Sequence, residues 1–197
     1  MEYYSVTTPA ASDPVLLADA KAFMRWTSTS EDSLITALIS TATQRIEEYT
    51  GQCFVTRTIT GEFSNLYATR TEVYPWIKLR RAPLSSITSV QVSIDSVFTD
   101  AEYQIKKHTH GFSRLLFPNF LYALDDVPYP LKVVFVAGYT AVPELIKTAI
   151  KEYVNFLFRH RGDCIDASAC ASLSDNHGMP AIVKNMISSY KIVEVYA

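Results

Sequence analysis

The spacing of apolar residues changes twice along this chain, and this change limits the folds open to it. Residues 32–51 repeat apolar side chains every three or four positions, as in a helix that buries one face. From residue 53 to residue 137 the repeat falls to two, which is typical of strands. A helical repeat returns after Pro143. We therefore predict a β-rich region inserted between two helices that pack on each other.

The helix before the β-rich region has the clearest pattern. Its apolar stripe is formed by Ile35, Ile39, Ala42, Ile46 and Tyr49. Gly51 follows the stripe, and glycine enters the left-handed conformation that ends many helices without steric cost. The same spacing predicts a short helix over residues 14–26, a long one over 143–161 and a short one that begins at Pro180.

The β-rich region contains six short runs of β-branched and aromatic residues, separated by turn residues. These runs are 54–59, 73–79, 87–94, 102–106, 112–117 and 131–136. Pro75 lies inside the second run, where it predicts an edge strand or a bulge. The sequence therefore predicts an α+β fold: a small helical bundle with an inserted antiparallel β-region, arranged as a small barrel or a sandwich.

We divide the chain into three parts on this basis. Residues 1–13 form a flexible N-terminal arm, and residues 14–161 form one domain with helical parts at 14–51 and 142–161 and a β-insert at 52–138. Residues 162–197 form a mobile loop, a short helix and a β-prone tail. An uncovered strand tends to pair with other chains, so we expect the β-prone tail to dock on a partner.

Charge and composition exclude several classes of protein. The net charge is −2 and the pI is about 6.1, whereas a protein that grips DNA phosphates needs a basic face. Residues 1–51 carry seven acids against three bases, and residues 52–138 carry seven against nine. No apolar run has the length of a membrane span, and the chain start lacks the pattern of a secretory signal, so we expect synthesis in a cytoplasm and no membrane partner.

The sequence offers only fragments of a catalytic or metal site. His108 and His110 lack an acidic or cysteine ligand at a suitable spacing, and we favour a solvated turn. The spacing of His160, Cys164, Cys170 and His177 matches no ordinary zinc motif. The chain also lacks a phosphate-binding glycine loop and a G-x-S-x-G motif. We predict no catalytic residue, no metal and no cofactor, and free thiols at the three cysteines.

Several blocks of the sequence together resemble the head–tail connector (adaptor) proteins of tailed phages. These blocks, in the order of that family, are 14–21, 32–51, 79–84 followed by 87–90, 133–139 and 142–161. The similarity spans residues 14–161, and a weaker similarity covers residues 180–190. Leu16 departs from the pattern, because a helix-capping hydroxyl is expected there.

The resemblance implies a structural virion protein without enzymatic activity. About twelve copies would form a ring that joins the portal vertex of the head to the tail or to the next head-completion protein, with DNA passing through the lumen. The ring would be assembled in the host cytoplasm and would contact DNA only transiently. The helical bundle with an inserted β-region, typical of such proteins, agrees with the order read from periodicity.

The resemblance also suggests residues for the contacts. The C-terminal segment would dock on the portal through Ile192, Val193, Val195 and Tyr196. Candidates for the ring interface or for structural roles are Glu47, Gly51, Arg80, Arg81, Arg159 and Arg161.

Two other functions remain open from the residues alone. One is a β-rich module that binds a ligand or another protein through the aromatic residues Tyr67, Tyr74, Trp76 and Tyr122. The other is a metal-dependent enzyme, which would need the histidine or cysteine groups to converge on a pocket.

Overall fold

The computed structural model describes residues 2–64, 74–94, 97–106, 112–118, 128–160 and 179–192. The chain divides into two compact units. A helical unit comprises Ser12–Thr50 and Ala141–Lys191, and a β unit comprises Met1–Ala11, Gly51–Thr140 and Ile192–Ala197. The main boundaries therefore fall where the apolar repeat changes.

The helical unit contains four α-helices within the described residues. They are α1 (Leu17–Met24), α2 (Asp32–Thr50), α3 (Glu144–Arg159) and α4 (Ala181–Ile187), and a 3-10 turn over Ser188–Tyr190 follows α4. Helix α2 packs against α3, as predicted, and α3 also contacts α1 and α4. The sequence-based boundaries agree with these helices to within a few residues.

Burial of one face explains why these segments are helical. In α2 the residues Ile35, Ile39, Ala42 and Ile46 are fully buried, as the stripe predicts. Helix α3 also has a fully buried face, formed by Ile146, Ala149, Ile150 and Val154. Gly51 follows α2 with φ +74°, the left-handed conformation expected of a residue that ends a helix.

The β unit contains eight strands within the described residues, whereas the sequence predicts six. They are β1 (Glu2–Thr8), β2 (Arg57–Phe63), β3 (Trp76–Leu79), β4 (Leu84–Ile94), β5 (Val97–Asp100), β6 (Gln104–Lys106), β7 (Ser113–Leu116) and β8 (Leu131–Ala137). All pairings between them are antiparallel.

The strands form two sheets that share one hydrophobic core. The larger sheet has the order β1-β2-β8-β4-β5, and the smaller has the order β3-β7-β6. Strand β8 alternates buried and half-buried residues, and its buried side chains Leu131, Val133 and Phe135 belong to the same cluster as Ile77 and Leu115 of the smaller sheet. The described strands show two sheets with free end strands and no closure into a barrel.

Two strands correct the sequence-based description. The segment predicted as an irregular N-terminal arm contains β1, which pairs with β2 from Glu2↔Phe63 to Thr8↔Thr58. Strand β5 pairs with β4 and is absent from the six predicted runs. Pro75 precedes β3 instead of lying inside it, although β3 is indeed an edge strand.

Candidate assembly surfaces

Strand β1 is fixed to the β unit by the side chain of Tyr4. Its hydroxyl donates a hydrogen bond to the carbonyl oxygen of Lys78 (3.1 Å) and accepts one from the backbone N–H of Arg80 (3.1 Å). Its ring packs edge-on against Phe63 and Phe135. Burial raises the pKa of the Tyr4 hydroxyl well above its ordinary value, so the group stays protonated and keeps donating its bond.

Arg80 forms an ion pair within its own chain. Its Nε lies 2.7 Å from Oε2 of Glu2, so the Arg80 side chain ties the start of β1 to the end of β3. The next residue, Arg81, is exposed. Of these two candidates for a ring interface, Arg81 presents the more accessible guanidinium group.

Residues 79–84, one of the blocks that resemble the connector family, form backbone hydrogen bonds with two other parts of the β unit. The carbonyl oxygen of Ala82 accepts a hydrogen bond from the N–H of Cys53 (2.7 Å), and that of Pro83 accepts one from Gly138 (2.9 Å). The hydroxyl of Tyr139 donates to Oε1 of Gln52 at 2.5 Å. The start of the β-insert, its middle and its end are therefore joined at one place.

The candidates in the helical unit lie on its two long helices. Glu47 is half-buried on α2. Arg159 is the exposed last residue of α3, where its Nε donates to Oδ1 of Asn155 (2.9 Å). The two residues therefore belong to different helices, and Arg161 lies outside the described residues.

The described start of the C-terminal tail is fixed on both sides of the boundary at Lys191. Within the helical unit, the ammonium group of Lys191 lies 4.3 Å from the ring centre of Tyr49. Within the β unit, Cβ of Ile192 would lie 3.9 Å from a Cβ placed on Gly51. Ile192 and Gly51 are thus predicted site residues that the structure brings together. Val193, Val195 and Tyr196 lie outside the described residues.

A cleft of about 260 Å³ opens between α1 and the start of α3. It is lined by Val15, Asp19, Glu144, Lys147 and Lys151. The Lys147 ammonium lies 2.7 Å from Oε1 of Glu144, and this hydrogen bond lowers the pKa of the Glu144 carboxyl. The lining of the cleft therefore carries charged side chains of both signs.

Three large apolar side chains on or next to α1 and α3 remain in contact with solvent. Leu16 is 63% exposed, Leu145 is 42% exposed and Phe23 is 38% exposed. The ammonium group of Lys151 lies 5.7 Å from the ring centre of Phe23. Sequence reasoning missed this surface, although Leu16 stands at a position that favours a hydroxyl side chain.

The β unit has its own exposed apolar surface on strands β5 and β6. Val97, Phe98 and Ile105 are exposed, and every residue of both strands is accessible to solvent. Each strand ends its sheet in the described residues. Residues 97–106 therefore expose apolar side chains at one edge of each sheet.

The groups considered for metal binding or ligand binding do not form a site in the described residues. No group of three or more His, Cys, Asp or Glu side chains there is arranged to hold a metal ion. His160 bonds to the carbonyl oxygen of Phe156 through Nδ1, whereas His108, His110, Cys164, Cys170 and His177 lie outside the described residues.

The aromatic residues proposed for a binding module are only partly described. Trp76 is half-buried with the Arg114 guanidinium 4.3 Å from its ring centre, and Tyr74 is exposed, whereas Tyr67 and Tyr122 lie outside the described residues. Among the described helices, none combines the length and the apolar character that crossing a membrane requires.

Chains in several solved structures share this fold. A chain in the virion of a native gene transfer agent particle aligns with a TM-score of 0.71 and 16% identity, covering 98% of this chain and 97% of that one. A chain in the neck of an empty particle of this kind, computed with C6 symmetry, aligns with a TM-score of 0.70 and 14% identity. The alignment covers 99% of this chain and 98% of that one. A chain in the neck of a native particle, computed with C12 symmetry, aligns with a TM-score of 0.67 and 17% identity. The alignment covers 100% of this chain and 98% of that one.

At these identities the likeness to the solved structures concerns the fold. No curated protein matched the chain. The family model for the head completion protein matches residues 16–193, which is most of the chain, and it agrees with the resemblance read from the sequence blocks. The chain therefore belongs to the head completion protein family, whose members are structural proteins and not enzymes.

Proposed function

We propose that this protein forms a ring at the neck of a phage-like particle. The ring joins the portal vertex of the head to the tail or to the next head-completion protein, and DNA passes through its lumen. The observation that carries the proposal is the family match over residues 16–193. The fold shared along the whole chain with proteins in particle necks supports it.

The symmetry of those necks supports a copy number of about twelve. They were computed with C6 and C12 symmetry, and a ring of about twelve copies is compatible with both. Such a ring closes through heterologous contacts, in which one face of each copy meets a different face of its neighbour. Each copy must therefore carry two complementary surfaces, for which Glu47, Gly51, Arg80, Arg81, Arg159 and Arg161 remain candidates.

The C-terminal tail is the part that we assign to the portal. The sequence from Ile192 to Tyr196 is rich in β-branched and aromatic residues and favours a strand, which suits pairing with an edge or filling an apolar groove. Directly before this segment, the ammonium group of Lys191 lies 4.3 Å from the ring centre of Tyr49.

Removing residues 193–197 tests the portal assignment, because this truncation keeps the contacts of Lys191 and Ile192. We expect the truncated chain to keep its thermal unfolding temperature and to lose portal binding in a pull-down assay. The matched control replaces the same five residues with glycine and serine, which keeps the length and removes the apolar side chains. Unchanged portal binding by either variant would refute the assignment.

Assembly with the portal tests the ring itself. Purified protein mixed with portal should give a complex of about twelve chains per portal by native mass measurement, and a ring by electron microscopy. A monomer in the absence of the portal is compatible with the proposal, because such a ring closes through mass action on its partner. Absence of any complex with the matching portal would contradict the proposal.

A further inference from the structure

We propose that the outer face of the smaller sheet contacts the phosphate backbone of duplex DNA. The contact residues are Lys78, Arg114 and Lys106, which lie side by side on β3, β7 and β6. We call these three residues the cationic row. The inference rests on the ring proposed above, and it names the surface of each copy that faces the DNA in the lumen.

The first step of the argument concerns the strand register. Arg114 lies directly opposite Lys78 of β3 and directly opposite Lys106 of β6. Residues that are directly opposite in an antiparallel pair project from the same face of the sheet, and like charges at such positions destabilise the pairing. The cationic row therefore opposes folding of the smaller sheet through charge repulsion, and an anionic partner would relieve that repulsion.

The second step concerns the face that carries the row. Ile77 precedes Lys78 and Leu115 follows Arg114, and both apolar side chains are buried in the core of the β unit. Successive side chains of a strand point to opposite faces of the sheet. The row therefore projects away from the core, where Lys106 is exposed and the other two cations are half-buried.

The third step concerns the charge of these strands. As described, β3, β7 and β6 have the sequences WIKL, SRLL and QIK, which contain three cations and no acid. On the larger sheet, by contrast, Lys132 of β8 lies directly opposite Glu62 of β2. Positive charge is therefore concentrated on the smaller sheet, although the whole chain has a net charge of −2. Cations clustered on one face are the electrostatic sign of contact with phosphates.

The fourth step concerns two aromatic rings that flank the row. The ammonium group of Lys78 lies 4.9 Å from the ring centre of Phe112, and the guanidinium of Arg114 lies 4.3 Å from that of Trp76. A guanidinium stacked on a ring keeps the N–H groups at its edge, and these match the oxygens of a phosphate. The rings therefore hold both cationic groups without using their hydrogen-bond donors.

The fifth step concerns spacing, which favours duplex DNA as the partner. Neighbouring strands lie about 4.8 Å apart, so a row across three strands is about 10 Å long. One strand of a duplex places a phosphate about every 3.4 Å along the helix axis, so a row of this length faces about three phosphates. So few contacts give weak binding at physiological salt, which suits DNA that moves through a lumen.

Binding to a short DNA duplex in a salt series tests the cationic row. Wild-type protein should bind at low salt, and log K against log salt should have a slope of about −2.7, as three phosphate contacts predict. Lys106→Gln changes one exposed residue and should reduce the size of this slope by about one. The triple variant Lys78→Gln, Lys106→Gln and Arg114→Gln should lose at least about tenfold in affinity at low salt.

The matched control makes the same change in net charge on the helical unit. It combines Arg25→Gln, Arg45→Gln and Lys191→Gln, at three exposed positions, and it should keep the wild-type affinity and salt slope. Equal losses in the two triple variants would show that net charge alone governs binding, and they would overturn the inference. An unchanged slope in Lys106→Gln would overturn it as well.

The inference and the proposed function fail separately. Wild-type protein that does not bind the duplex at low salt would overturn the inference, and a ring on the portal would then leave the proposed function standing. Absence of any complex with the matching portal would instead contradict the proposed function.

An acidic polypeptide is the alternative partner, and competition separates it from DNA. Poly-glutamate at equal charge concentration should displace a labelled duplex less well than unlabelled duplex does, because the flexible chain loses conformational entropy when it binds. Equal displacement would assign the row to an acidic protein and would overturn the inference.

Tryptophan fluorescence locates the contact without any change to the row. The chain has two tryptophans, Trp26 in the helical unit and Trp76 beside the row. Addition of duplex at low salt should change the emission of Trp26→Phe, in which only Trp76 remains. Trp76→Phe is the matched control and should show no change. The reverse result would place the contact on the helical unit and overturn the inference.

Discussion

Among the three glycines in the part of the chain that the structure describes, Gly138 is the one whose replacement the backbone tolerates least. Its φ is +130°, and a Cβ there would lie 2.5 Å from the carbonyl oxygen of Val55. Gly138→Ala should therefore lower the free energy of unfolding by about 1–3 kcal/mol through backbone strain, and further through the clash. Gly51→Ala meets its nearest atom at 3.5 Å and should lose about 1–2 kcal/mol through its φ alone. Denaturant unfolding that gave the reverse order would contradict this account.

Tyr4 should stabilise the β unit through its hydroxyl as well as its ring. Tyr4→Phe keeps the contacts with Phe63 and removes the hydrogen bonds of the hydroxyl, so we expect a loss of about 1–3 kcal/mol in the free energy of unfolding. Tyr3→Phe is the matched control in the same strand. Because Tyr3 is 56% exposed, that change should stay within about 0.5 kcal/mol.

The raised pKa of Tyr4 predicts a dependence of stability on alkaline pH. The folded state holds the proton more tightly than the unfolded state, whose tyrosine pKa is near 10.0. The stabilisation is complete below pH 10 and is lost as pH rises above it. Burial raises the pKa of Tyr153 in the same direction. In urea titrations between pH 8 and pH 11, Tyr4→Phe should lose less stability than wild type, and equal losses would refute the assignment.

At the residue scale, the sequence predicted roles that depend on local conformation. Gly51 ends α2 with a positive φ, as its position after the stripe indicates. The pairing of Arg80 with Glu2 joins residues 78 positions apart, and no local pattern reveals such a contact. The sequence therefore suggests an interface role for Arg80 without indicating the ion pair that it makes within the chain.

At the scale of elements, the buried face of α3 should determine the stability of the helical unit. Ile150 is fully buried, and Ile150→Ala should lower the free energy of unfolding by about 2–5 kcal/mol. Leu145 is 42% exposed on the same helix, and Leu145→Ala should change stability by about 0.5 kcal/mol or less. Equal effects in chemical denaturation would show that α3 is not packed as described.

The helices were predictable because their signal is local, whereas two strands were not. Helix α2 shows its stripe within nineteen residues. Strand β1 exposes Tyr3 and Val6 and depends on pairing with β2 fifty or more residues later, so its sequence looks like an irregular arm. Strand β5 has only four residues, all exposed, and therefore shows no alternation.

At the scale of the whole molecule, the charge predicts weak contact with DNA. A net charge of −2 gives the proposed ring no reason to hold phosphates, so we expect the genome to slide through its lumen. Binding of the purified protein to duplex DNA should have a dissociation constant above about 100 µM at physiological salt. Micromolar affinity that falls steeply with added salt would show that the lumen grips DNA.

The position of the protein in an assembled particle tests the central claim most directly. Cryo-electron microscopy of particles that contain this chain should show its two units repeated in a ring of about twelve copies directly below the portal. The lumen should be wide enough for duplex DNA. Density for this fold at another part of the particle, or a neck that is complete without the chain, would contradict the account.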